Sequence, residues 1–137
     1  MSIEEKNEIK KSAYTEALRY IQNAKENLHK AKKHGKYYQD IKYVRSASGI
    51  AYSGMLLALD ALLKIKNIHP AAKNRKSIDW YRDQLRRMDW KLLNDVNTTY
   101  EALHLIGYYE GTTSVKIIDA GLEGALSVIK HIKPTVN

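Results

Sequence analysis

Lys30, Lys32, Lys33, His34 and Lys36 stand almost together, and Tyr37, Tyr38 and Tyr43 follow at once. Ammonium groups attract phosphate whatever the sequence, and tyrosine rings stack on bases. His104, Tyr108 and Tyr109 repeat the combination later in the chain. Basic groups interleaved with rings suit a nucleotide or a single-stranded nucleic acid. The candidate site is therefore Lys32, Lys33, Lys36, Tyr37, Tyr38, Tyr43, His104, Tyr108 and Tyr109. The same residues have a structural use as well. Lysines at a helix C-terminus complement its dipole, and tyrosines suit half-buried helix ends.

A metal chemistry is the second candidate. Glu-x-x-His occurs twice, as Glu26/His29 and Glu101/His104. In di-iron bundles two such pairs join a carboxylate from each remaining helix. Glu26 lies about 200° round its helix from the apolar position Ala24, and Glu101 is similarly displaced from Thr99. Both should face solvent, where they cannot gather a metal in a core. Asp119 or Glu123 could serve from the last helix, but the second helix offers Arg45 at the needed height, and Asp40 sits too near its start. No metal and no cofactor are expected. An enzymatic alternative would use His104 with Glu101, or with Asp119 and Glu123, in the core. Asp60, inside an apolar run, reads as a solvated seam residue or as the partner of an Arg. His29, His34, His69 and His131 fall near helix ends or in loops. A second basic group, Lys64, Lys66, Lys73, Arg75, Lys76, Lys130 and Lys133, reads as a solvated, dipole-matched end.

Composition narrows the classes. There is no cysteine, which excludes disulfides, zinc–thiolate sites and thiol catalysis. No Gly-rich phosphate loop, nucleophile elbow or helix-turn-helix pattern occurs. The net charge is +8, from 23 Lys and Arg against 15 Asp and Glu, and favours anionic partners. The longest apolar stretch, Met55 to Leu63, is interrupted by Asp60, so no membrane span is expected. The start of the chain is acidic, unlike a signal peptide, and a cytoplasmic location is the expectation.

The elements that must position these residues are helical. Ala13, Ala17, Tyr20, Ala24, Leu28 and Ala31 recur three or four apart and predict a helix over about 3–33, stopped by Gly35. Ala47, Ala51, Gly54, Ala58 and Ala61 predict a second over about 37–66. From Ile78 through Leu85, Leu92, Val96 and Leu103 to Ile106 the spacing is unbroken. It predicts one helix over about 78–109, with a kink near Asp89 left open. Thr112 or Thr113 then caps a helix over about 114–133. The expected fold is all-α, one domain over 1–137: an up-and-down four-helix bundle with both short turns at one pole. Glycines 49, 54, 107, 121 and 124 lie inside these helices. Close helix approach explains them, or else room for a ligand between the second and fourth helices.

The progression Tyr14-x-x-Ala17, Ala24-x-x-x-Leu28-x-x-Ala31, Tyr37-Tyr38-x-Asp40-x-Lys42-Tyr43-Val44 and Ala47-x-x-x-Ala51-Tyr52-x-Gly54 resembles HEPN-like helical bundles. More narrowly, Tyr100-Glu101-x-Leu103-His104-Leu105-x-Gly107-Tyr108-Tyr109-Glu110-Gly111 resembles a family of small all-helical proteins of gut bacteria, a domain of unknown function. The HEPN resemblance implies a four- or five-helix bundle, often a homodimer, that contacts nucleotide or RNA beside a nucleotidyltransferase-like neighbour. Ribonucleases of that group carry Arg, then four to six residues, then His. No histidine here has an Arg at that spacing. The expectation is a non-enzymatic binding module for a nucleotide, RNA or protein partner at the basic, tyrosine-rich end. An antitoxin-like homodimer is the remaining alternative.

Overall fold

The computed structural model describes residues 1–71 and 76–134, and its elements are almost all helical. Helix α1 spans Ile3–Ala31. The Ser2 hydroxyl accepts from the Glu5 N–H at 3.1 Å, Glu4 and Glu5 occupy the positive end, and His29 and Lys30 the negative one. Its buried stripe is Ala17, Ile21, Ala24, Leu28 and Ala31, close to the expected one.

The predicted helix ends at 33 and 37 are corrected. Lys32 takes φ +57° and ends α1, and the chain then forms a two-stranded antiparallel hairpin, β1 (Lys33–His34) and β2 (Tyr37–Tyr38). Gly35, at φ +63°, opens its two-residue loop, a position that suits glycine. Helix α2 starts only at Ile41, where the Asp40 carboxylate accepts from the Lys42 N–H at 3.0 Å. The reason is partly distant. The Tyr38 N–H donates to the Thr113 carbonyl at 2.8 Å, and the Val115 N–H donates to Lys36 at 3.1 Å. These bonds draw the tyrosines into an extended strand, which aromatic residues accept readily.

Helix α2 runs Ile41–Ile65 and lies antiparallel to α1, with Gly54 against Tyr20 and the Ala17 carbonyl. One 18-residue window of α2 has mean hydropathy 1.4, long and apolar enough to cross a membrane by those measures. Counting an unbroken run overlooked it. Half of that window is buried inside the fold, as in a core helix.

The third rod is three segments rather than one. Helix α3, Ile78–Arg86, stops before Asp89, whose carboxylate accepts from the Leu92 N–H at 3.1 Å and starts α4, Trp90–Thr99. An aspartate competes with the helix backbone and favours such caps. From Tyr100 to Glu110 the chain winds as a π-helix, closed by Gly111 at φ +78°. Gly107 is buried there, while Ile106, expected inside, is only half-buried. Asp60 is half-exposed, neither freely solvated nor paired with an Arg: it accepts from the Tyr81 hydroxyl at 2.5 Å and meets Lys76 at 3.1 Å, tying α2 to α3.

Helix α5 spans Val115–Lys130, shorter than expected, and its cap is Ser114 rather than Thr112 or Thr113. Thr112 instead accepts from the Ser114 N–H at 3.1 Å. Gly121 faces Leu103, and Ser127 donates to Asp95 at 2.7 Å, so α5 runs antiparallel to the rod it covers. Met55, Leu59, Leu85, Leu92, Leu103, Ile118 and Ile129 contribute to one hydrophobic cluster. Of the second basic group, Lys73 and Arg75 lie outside the described residues.

Candidate functional site

Tyr37 bridges to Ser114 and Tyr38 to Thr113, so the hairpin and the segment after the π-helix share one pole. The predicted residues gather there, yet they divide between different surfaces.

A groove of about 800 Å³ runs between the end of α1, the hairpin and α5. Lys25, His29, Lys30, Lys32 and Lys33 line it with Tyr38, and Asp119 is its one carboxylate. Tyr38 is 5% exposed, and the Lys33 ammonium stands 5.8 Å from its ring centre. Burial, and then Asp119, raise the Tyr38 pKa above the usual tyrosine value. Among the described residues no carboxylate forms an ion pair with these lysines. Lys36 and the exposed Tyr37 face a neighbouring groove with Lys116, Asp119 and Glu123. Tyr43 lines neither. It is half-buried under Lys42, whose ammonium is 4.7 Å from the ring centre.

His104 and Tyr108 belong to a third groove, between α1, α2 and the π-helix, with no lining residue in common with the lysine groove. Here the rings form a column. His104 stacks on Tyr52 at 4.6 Å and on Tyr100 at 5.2 Å, and lies 13° from parallel to Tyr108 at 6.4 Å. Tyr109 meets His104 edge-on at 5.0 Å. The last contact depends on the winding. In an α-helix residue i+5 lies about 140° round from residue i, whereas i→i+5 hydrogen bonding brings it over residue i. The Arg82 guanidinium sits 4.6 Å from the Tyr100 ring centre, held by Asn97 at 2.8 Å and Asp79 at 3.4 Å. Arg45 lines the open end. Tyr52, Tyr100, Arg82 and this role of Arg45 were missed, because a count at helical spacing cannot see side chains from separate elements converge. The run Tyr100, His104, Tyr108 at intervals of four was the signal that could have found part of the column.

Burial raises the Tyr52 pKa to about 12, with Tyr100 adding to the rise and Arg82 opposing it. Burial also lowers the His104 pKa below the usual histidine value. The unfolded chain therefore takes up this proton first as pH falls. The stability His104 contributes is present above about pH 6.5 and is lost as pH drops from there through the folded value. Urea midpoints measured near about pH 8 and about pH 5 should differ more in the wild type than in His104→Phe. Equal differences would mean that His104 is not desolvated.

Among the described residues no three His, Asp or Glu side chains converge on a metal-sized site. Glu26 and Glu101 are exposed, as their angular positions imply. Asp119 and His104 line separate grooves. Nor do glycines open a cavity between α2 and α5, since Leu103 fills the space at Gly121 and Thr99 that at Gly124.

A sequence model of the family described as "Domain of unknown function (DUF5618)" matches residues 12–134. A solved structure, a protein of unknown function from Dyadobacter fermentans, is similar at 38% sequence identity and a TM-score of 0.80. The match covers 89% of this chain and 94% of that one. No curated protein matches the chain.

Proposed function

The chain belongs to the family of the domain of unknown function DUF5618, and from that premise we propose that it is a non-enzymatic binding module whose hairpin pole takes single-stranded RNA. The observation that carries this reading is the lysine groove, where five basic side chains line the walls with Tyr38 and, among the described residues, Asp119 is the one carboxylate. Phosphates would lie along Lys30, Lys32 and Lys33, with Lys36 extending the track. Exposed Tyr37 and Tyr109 stand round the same pole as stacking surfaces.

We read the build as a HEPN-like, up-and-down four-helix bundle in which α3, α4 and the π-helix count as one broken rod. The antiparallel run of neighbours supports that reading. With that build we propose a cytoplasmic location and a nucleotidyltransferase-like neighbour as partner.

Exchanging Lys32, Lys33 and Lys36 together for Glu should weaken binding of a single-stranded RNA by about a hundredfold or more and flatten its salt dependence. Fluorescence anisotropy at low salt measures both. Unchanged affinity rejects the site.

A further inference from the structure

The geometry points to the groove between α2 and the π-helix as a separate site for a small planar aromatic acid, its ring stacked on Tyr108 and its anionic group paired with Arg45. The column of rings supplies the stacking surface. Tyr52 is buried at 9% exposure, and the inner end is closed by Arg82 under Tyr100. Tyr108, at 47% exposure, leaves the outer end open. A further ring extends such a stack in offset geometry, and no hydrogen-bond code is needed to admit it. The small residues Ser46, Gly49 and Ser53 of α2 line the groove along with Tyr108. A Cβ on Gly49 would reach Tyr108 at 3.5 Å, so this tyrosine lies down against the α2 backbone.

Arg45 supplies the charge. Its guanidinium rests on Gly111, where a Cβ would stand 2.6 Å from Nη2 and 2.7 Å from Nε. Among the described residues no carboxylate pairs with it. A planar fork held on a glycine, lining the same groove as half-exposed Tyr108, matches a carboxylate or phosphate two-pronged. The groove measures about 580 Å³, room for one small molecule. It shares no lining residue with the lysine groove and does not depend on the RNA reading.

Calorimetric titration of the full chain with 4-hydroxybenzoate, with its uncharged amide and with adenosine 5′-monophosphate tests the site. The carboxylate and phosphate arms tell which anion the site prefers, and saturable binding of either one that is weakened by Arg45→Gln or Tyr108→Ala supports it. The acid should bind about tenfold more tightly than the amide, and Arg45→Gln should remove that advantage. Tyr108→Ala should weaken binding about tenfold while Tyr108→Phe retains it. Thermal melts of the three variants show whether each is folded. Binding of neither anion, or binding indifferent to both Arg45→Gln and Tyr108→Ala, overturns the proposal. Loss of RNA binding in the lysine variant with this binding intact would separate the two sites.

Discussion

Leu103→Ala should lower the stability of the fold by about 3 kcal/mol, and adding Gly121→Ala should restore part of the loss. Leu103 is fully buried in the π-helix and faces Gly121 of α5. A Cβ on Gly121 would stand 2.5 Å from Leu103 Cδ2 and 2.6 Å from Cγ, so the leucine fills the hollow the glycine leaves. Truncating it loses the transfer energy of the side chain and opens a cavity that rigid helices on either side cannot close. In the wild type, Gly121→Ala should destabilise. Forcing Leu103 off its rotamer costs about 1–3 kcal/mol, against a helix-propensity gain of about 1 kcal/mol. With Leu103 already truncated the same methyl no longer meets its two nearest neighbours, and Ala102 Cβ at 3.0 Å comes next. The sign of the Gly121→Ala effect therefore reverses between the two backgrounds. Urea unfolding of the four proteins closes the cycle. An equal loss in both backgrounds would mean that the two residues do not touch.

Gly107→Val should cost about 3 kcal/mol and disturb the column of rings as well. Gly107 is where the π-helix meets α2. A Cβ there would stand 2.9 Å from Ser48 Cβ and 3.0 Å from the Ala102 carbonyl, and would collide with the Ser48 hydroxyl. A β-branched side chain cannot turn away from both walls. The π-helix must move off α2, and the stack of Tyr52 on His104 spans the same two elements. The tyrosine signal in near-UV circular dichroism should weaken with the loss of stability. Ser48→Gly in that background should recover part of it. Little is lost with the Ser48 hydroxyl, which is buried and has no hydrogen-bond partner among the described residues. Gly107→Ala provides a graded version if valine prevents folding. A glycine at 107 replaced by valine with no change in midpoint would remove the contact from the account.

Both contacts sit where helical spacing stops being a guide. Ala17, Ala24, Leu28 and Ala31, and Ala47, Ala51 and Ala58, were legible as buried stripes because each burial face belongs to one helix and repeats with its turn. Gly111 was legible as a stop, and Asp89 as the place of a kink, because both act on their own backbone. Tyr37 and Tyr38 were not legible as a strand. Their pairing is completed by Thr113, Ser114 and Val115, far along the chain. The π-helix was hidden for a similar reason. Its winding adds only a small shift to the spacing Leu103, Ile106, Gly107, and the choice of which residue turns inward is made by Ser48 and by α5.

The candidate site divides along the same line. Composition and order alone determined that lysines and tyrosines would collect near two short connections, since charge and ring type are properties of single residues. Only the tertiary structure decided which of them face one another: Lys32 and Lys33 round Tyr38, but His104 and Tyr108 with Tyr52 and Arg45 on another face. Direction about a helix axis depends on residues per turn, and the π-winding from Tyr100 to Glu110 brings Tyr109 to His104, which α-helical spacing would not.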